Sequence, residues 1–409
     1  MAAALDALGS EFQFRTVAGI RGQDLVIVGD GDPAIGDARL CEQRGVSITA
    51  VFERWAVALK AAGHQTIAGD LVIDESVFDG QTVHPSWDEG ELQKWYASPA
   101  GGLNFADNCI ELTVWPAESG RPPFWEVVPP VSTIEVINRA KSAGAGVPVV
   151  GRPGASFRYL LSGRCGSRAT LEPVSVPDPG MFFADACRSG LARAGVVVRG
   201  DVRRERVRSP SGALPSGFAT IADYRTAIGD VMGRIGKNSQ NLFAECLAKR
   251  IGYEHMRRSV PQSARGSWVS AASAINAFLA SCGINTAGCV IGDASGLSRE
   301  NRVTASQFVR VLTHMNKHSA RGMFIDSLAV AGERGSLHDR MGVLGGSVVA
   351  KTGTLHGVSA LSGYIGGTAH PRFAFSVIFN GIKGPTTPYR ALQDELCRTL
   401  VARTELVDK

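Results

Sequence analysis

Apolar positions recur along this chain with two periods, and the change from one to the other divides it. Phe12-Gln13-Phe14-Arg15-Thr16-Val17-Ala18-Gly19-Ile20 alternates as a half-buried strand does. Asp24 to Val28 predicts a second strand, ended by the turn Gly29-Asp30-Gly31-Asp32-Pro33. Residues 46–62 carry Val46, Ile48, Val51, Trp55, Val57 and Leu59 mostly at helical spacing, and Gly63 stops that helix. Ile67 to Ile73 predicts a strand with Gly69-Asp70 inside it, 80–104 a structured loop, and Cys109 to Val114 another strand. From about 115 to 180 the density of Pro, Gly, Val and Ser predicts a small all-β module. A helix over Met181 to Ala194 and a strand over Val196 to Val198 lead to a linker at 209–217.

From Ile221 the period lengthens. Helices are predicted over Tyr224 to Ile235, Leu242 to Ile251, Val269 to Cys282 and 303–316, the last with Thr304 as N-cap. Three strands follow, in the run Ser347 to Leu355, in Ala360 to Ile365 and in Phe373 to Gly381, and then a helix from about Tyr389 to Ala402. Helices, an antiparallel meander and a closing helix make the class α+β. The first residues, Met1 to Gly9, read as the tail of a helix with Leu5 and Leu8 on one face.

Composition narrows the partners. A net charge of +5 over 409 residues, with no dense Lys/Arg block among aromatics, argues against nucleic acid. No apolar run approaches the roughly 20 residues of a membrane span. The opening residues have no basic region and an acid at Asp6, so they do not form a secretory signal. The eight cysteines have no metal-ligand spacing. In an oxidising compartment Cys109 with Cys165, and Cys282 with Cys289, are candidate disulfides.

Candidate chemistry centres on Lys351-Thr352-Gly353-Thr354. A strand that offers a cation, two hydroxyls and a bare glycine suits an extended peptide ending in a carboxylate. Ser239-Gln240-Asn241, which interrupts a helical pattern, lies about 110 residues upstream. Ser-x-Asn followed by Lys-Thr-Gly is the second and third motif of penicillin-binding proteins and serine β-lactamases.

Further runs narrow this. Gly292-Asp293-Ala294-Ser295-Gly296-Leu297-Ser298-Arg299, Ala331-Gly332-Glu333-Arg334-Gly335-Ser336-Leu337 and Lys351 to Tyr364 resemble the D-alanyl-D-alanine carboxypeptidase/endopeptidases, the class C penicillin-binding proteins. So do Gly29 to Pro33, Gly69 to Asp74 and Asn104 to Cys109, and the resemblance covers nearly the whole chain. It implies a β-lactamase-like catalytic domain (1–12 and 220–409), an inserted accessory domain (13–110 and 180–219) and a β-rich domain nested within it (111–179). It also implies peptidoglycan stem peptides ending in D-Ala-D-Ala as substrates, a periplasmic or exported location, and no metal or cofactor.

Residue by residue, the resemblance implies that Lys351 pairs with the substrate carboxylate, helped by the hydroxyls of Thr352 and Thr354. The Thr354 N–H is an oxyanion donor, Asn241 holds a substrate amide, and Ser239 passes a proton. Asp107, Arg299, Leu355 and His356 line a side-pocket for the charged end of a diamino acid. Plainer alternatives stand beside these roles: a helix N-cap for Ser239 and Asn241, a surface ion pair for Arg299, a pocket wall or surface position for His356.

One departure is decisive. The family's first motif, Ser-x-x-Lys, supplies nucleophile and base, and it occurs nowhere in the 409 residues. The resemblance puts it a few residues upstream of the segment matching Met1–Gly9. The expectation is therefore a serine-type carboxypeptidase/endopeptidase whose given sequence starts too late, unable as written to form an acyl-enzyme or react with β-lactams. The alternative is a non-catalytic paralogue that binds wall peptides. A simple β-lactamase fits poorly, because about 200 residues precede the catalytic-domain texture.

Overall fold

The computed structural model describes residues 1–209, 211–369 and 371–407. Pro210 of the linker, and His370, Asp408 and Lys409 of the 220–409 range, lie outside the described residues. The chain forms two compact units: Met1–Phe12 with Ala227–His255 and Trp268–Lys409, and Gln13–Thr226 with Met256–Ser267.

The first unit is built on an antiparallel sheet in the order Ala329–Val330, Val348–Leu355, Val358–Ile365, Phe373–Asn380. Its register pairs Lys351 with Ser362 and Leu355 with Val358, across the two-residue turn His356-Gly357. Alternation gives the sheet two faces. On one, Ala350, Leu361 and Phe375 form a buried cluster with Cys397 and Val401 of the Thr387–Val407 helix. On the other, the Tyr364 hydroxyl donates to the Leu312 carbonyl of the Ala305–Met315 helix at 2.7 Å. Thr304 caps that helix in a reciprocal box with Gln307. The short Ala2–Leu8 helix buries Ala2 to Leu5, and the chain rejoins this unit where the Ile228 N–H donates to the Phe12 carbonyl.

The second unit carries a five-stranded sheet in the order Val202–Arg204, Leu71–Asp74, Asp24–Val28, Gln13–Arg21, Ala219–Ala227. Leu71–Asp74 has parallel neighbours on both sides and is buried throughout, as parallel strands are. The Ala50–Ala61 and Pro179–Arg193 helices pack Phe52, Trp55, Phe182 and Phe183 into its core. Residues 111–179 form short strands whose Leu112, Val114, Tyr159 and Leu161 join that same cluster.

Several local expectations change. The predicted Tyr224–Ile235 helix is the end of the Ala219–Ala227 strand followed by the Ile228–Asn238 helix. Tyr224 and Thr226 suit a strand, and the apolar stripe that resembled one helix begins at Ile228. The Ile67–Ile73 strand is two, because Gly69 and Asp70 turn to bond the Gln23 carbonyl and the Asp24 carboxylate. Met256–Ser267, expected with 220–409, belongs to the second unit, where Gly266 bonds Val77 and Asp79. All eight cysteines are free thiols, so neither proposed disulfide is formed.

Candidate active site

Ser239 stands between two helices. The Ile228–Asn238 helix ends with Ser239 as its C-cap in the left-handed region, φ 56° and ψ 42°. The Ser239 N–H closes on the Ile235 carbonyl and the Gln240 N–H on that of Arg234. Asn241 then opens the Asn241–Ser259 helix. Ser239 is therefore no N-cap: it is a non-glycine residue at a position that usually takes glycine. Such strain costs about 1–2 kcal/mol and gathers at functional sites.

The Ser239 hydroxyl meets Lys351. Lys351 Nζ donates to Ser239 Oγ at 2.7 Å and to the Thr352 carbonyl at 2.6 Å. Burial pulls the Lys351 ammonium down to about 8, so near neutral pH it can both hold and release a proton. A hydroxyl and a shifted lysine in contact have the chemistry to pass a proton between them.

Beyond Ala350 the strand has a bare edge. The Val348 carbonyl accepts from the Ala331 N–H at 3.0 Å on the Ala329–Val330 side. Backbone groups change sides at each residue, so the N–H and C=O of Thr352 and Thr354 point to that same edge. The paired strand there ends opposite Val349 and Ala350, so among the described residues no strand pairs with Thr352 and Thr354 on that side. Gly353 fits this use. A Cβ built on it would meet only the Ala360 Cβ, at 3.4 Å, whereas one on Gly363 would meet the Val349 carbonyl oxygen at 2.1 Å. The fold needs Gly363 for its own packing, but Gly353 leaves space toward the outside.

Thr352 and Thr354 leave the strand on the face opposite Lys351. Thr352 Oγ1 donates to Ser336 Oγ at 2.8 Å, and Arg390 Nη2 donates to Thr354 Oγ1 at 3.2 Å. Neither Ser336 nor Arg390 carries a site signal in the sequence: Ser336 lies in a family-like run without an assigned role, and Arg390 lies in no motif.

At the far end of the strand Arg299 and His356 come together. Arg299 Nη1 donates to the His356 carbonyl at 2.9 Å, so its partner is a turn rather than a surface acid. Leu355 is half-buried beside this turn, about 13 Å along the strand from Lys351. The loop carrying Arg299 is wound on Asp293, whose carboxylate accepts from the N–H groups of Gly296 and Ser298 and from Asn301. Glu245, fully buried one helical turn after Asn241, holds the start of that loop. It accepts from Ser295 N–H at 2.7 Å and Trp268 Nε1 at 2.7 Å. Burial first, and then the Asp293 charge, push Glu245 up to about 7. An acid on an otherwise apolar helix stripe is the signal that would have found it.

Asp107 lies in the second unit. It is the middle of three successive left-handed residues, Ala106, Asp107 and Asn108 at φ 48°, 56° and 52°. Asn108 secures this turn by donating to Pro99 O and Asn104 Oδ1, both at 2.7 Å. Ser239, Asn241, Arg299 and Lys351 to His356 all belong to the first unit.

Residues 1–398 match the family model described as the D-Ala-D-Ala carboxypeptidase 3 (S13) family. A D-alanyl-D-alanine carboxypeptidase of Actinomadura sp. (strain R39) is 32% identical, across 97% of this chain and 74% of that protein. The D-alanyl-D-alanine carboxypeptidase DacB of Haemophilus influenzae is 25% identical, across 92% of this chain and 77% of its own length. Among solved structures, penicillin binding protein 4 (dacB) from H. influenzae superposes with a TM-score of 0.79 at 22% identity, covering 98% of this chain and 88% of that one. The fold is thus the penicillin-binding-protein fold.

Proposed function

This chain belongs to the D-Ala-D-Ala carboxypeptidase 3 (S13) family, and on that footing we propose that its Lys351–Thr354 edge docks peptidoglycan stem peptides ending in D-Ala-D-Ala. The reaction is serine-type carboxypeptidase/endopeptidase cleavage through an acyl-enzyme. The observation that carries this reading is Lys351 Nζ bonded to Ser239 Oγ at 2.7 Å, at the head of an unpaired strand edge.

The peptide adds as a strand along Thr352 to Thr354. The Thr354 N–H faces the scissile carbonyl oxygen, and the threonine hydroxyls face the terminal carboxylate. Asn241 holds the amide of the penultimate part, and the Ser239–Lys351 pair returns a proton to the departing D-alanine. Arg299, Leu355 and His356 form the side-pocket for a charged diamino-acid end, a role that the family resemblance also gives Asp107. The domain reading goes with this, residues 111–179 being the module nested in the accessory insertion. The wall polymer as substrate puts the protein in the periplasm or outside the cell. Among the described residues no helix is long and apolar enough to cross a membrane.

The nucleophile is the missing part. No Ser-x-x-Lys occurs in the 409 residues. Loss of a serine-hydrolase nucleophile costs on the order of a millionfold in turnover. The 409-residue chain as given therefore docks its peptide without cleaving it. That missing motif also favours a second reading, a non-catalytic wall-peptide binder. Calorimetry with an N-acetylated tripeptide ending in D-Ala-D-Ala, and labelling with fluorescent penicillin, separate the two. Saturable binding without labelling is expected of this chain, with labelling gained when in-frame upstream codons are added. Absence of binding overturns the docking role, and an upstream stop codon with no Ser-x-x-Lys before it leaves only the non-catalytic binder. A β-lactam complex is known for the H. influenzae protein, and a form of this chain that carries a Ser-x-x-Lys is expected to be acylated by such compounds.

A further inference from the structure

The cation that bonds a threonine hydroxyl is not the one in the motif. Lys351 shares its face of the strand with Tyr364 and the Ala305–Met315 helix. Thr352 and Thr354 share theirs with Ser359 and Leu361, over the Thr387–Val407 helix. Lys351 Nζ is also committed, to Ser239 and to the Thr352 carbonyl. A carboxylate gripped by the two threonines lies on the other side of the backbone, where Arg390 reaches in from the first turn of that helix.

We propose that Arg390, rather than Lys351, supplies the counter-charge for the substrate's terminal carboxylate at Thr352–Thr354; the inference rests on the D-Ala-D-Ala reading above. Three features carry it. Arg390 has no carboxylate partner among the described residues: Asp394, one turn on, is taken by Arg340 at 2.6 Å. A cation in the first turn adds to the positive end of the helix dipole, an unfavourable place unless an anion joins it. The hydroxyl pattern also points outward. Arg390 occupies a lone pair of Thr354 Oγ1, which frees that O–H to donate to a ligand. Thr352 donates to Ser336, which leaves the Ser336 O–H as the next outward donor. Guanidinium and two hydroxyls form a donor cluster matched to a planar carboxylate. Lys351 is left to the proton relay with Ser239.

The two cations differ in titration, and that separates them. Burial brings Lys351 to about 8, so its charge is largely gone at pH 9.5, whereas a guanidinium keeps its charge. The test is calorimetry on the 409-residue chain with an N-acetylated tripeptide ending in D-Ala-D-Ala, as the free acid and as the C-terminal amide, at pH 6.5 and pH 9.5. The acid is expected to bind about tenfold tighter than the amide at both values. Arg390→Ala and Arg390→Gln should each bring the acid to the level of the amide and leave the amide unchanged. Arg390→Gln keeps a donor for Thr354 without the charge, so equal loss in both variants assigns the effect to charge. An acid preference that survives both variants, one that disappears at pH 9.5, or equal binding of acid and amide by the wild type overturns the assignment. Binding of neither peptide by the wild type instead removes the D-Ala-D-Ala reading beneath it.

Discussion

Ser239 gives the sharpest test of whether this site stores strain. At φ 56° and ψ 42° it pays the left-handed penalty of any residue with a Cβ, about 1–2 kcal/mol. Ser239→Ala keeps that penalty and Ser239→Gly removes it. Both variants lose the oxygen that Lys351 donates to, so this loss cancels when they are compared with each other. Glycine's extra freedom in the unfolded chain costs about 0.5–1 kcal/mol in return. Ser239→Gly should therefore be the more stable of the two by about 1 kcal/mol, or roughly 2–4 °C in Tm for a unit of this size. In an ordinary helix the sign is reversed, alanine being favoured by about 1 kcal/mol. Thermal unfolding followed by circular dichroism reads the difference directly. If Ser239→Ala proves as stable as Ser239→Gly, residue 239 is not strained and the argument from conformation to function fails.

Two further predictions concern neighbours of the relay. Gly353→Ala adds a Cβ that meets only Ala360, so stability should stay within about 0.5 kcal/mol while affinity for a D-Ala-D-Ala peptide falls about tenfold. Gly363→Ala, driven against the Val349 carbonyl, should instead destabilise by about 1–3 kcal/mol, and equal Tm values for the two variants would remove the distinction. Glu245 is raised from the ordinary glutamate value of 4.5 to about 7, so between these values the folded protein holds a proton that the unfolded chain releases. Its contribution to stability is thus complete below pH 4.5 and is lost as pH rises toward 7, by up to about 3 kcal/mol. Glu245→Gln cannot titrate and should flatten that part of the pH dependence in urea unfolding; an unchanged slope would show that Glu245 titrates normally.

The α+β class and most elements of the first unit were legible because their patterns are local. Gln307 three residues after Thr304 forms a capping box, and Val348 to Leu355 alternates into a register that a two-residue turn enforces. What misled was ambiguity between periods. Tyr224, Ile228, Val231 and Ile235 fit one helical stripe, yet Tyr224 lies in an edge strand of the other unit's sheet. Thr66 to Asp74 reads as one strand until Gly69 and Asp70 find partners in Gln23 and Asp24, some 46 residues away. No window of sequence contains that partner.

The site divides along the same line. Ser239, Asn241 and Lys351 to Thr354 could be named because each motif is a few consecutive residues whose order is its geometry. Period-2 alternation alone already separates Lys351 from Thr352 and Thr354. A cation and two hydroxyls written side by side therefore cannot all grip one carboxylate from one face of the strand. The sequence does not say which helix covers each face. Arg390, 36 residues beyond Thr354, and Ser336, 16 before Thr352, reach the threonines only through tertiary packing. Glu245 reaches the Arg299 loop across 50 residues in the same way. The motif thus specifies the strand edge and the Ser239–Lys351 contact, while Arg390 beside the threonines and the Glu245 clamp on the Arg299 loop come from elements that carry no motif.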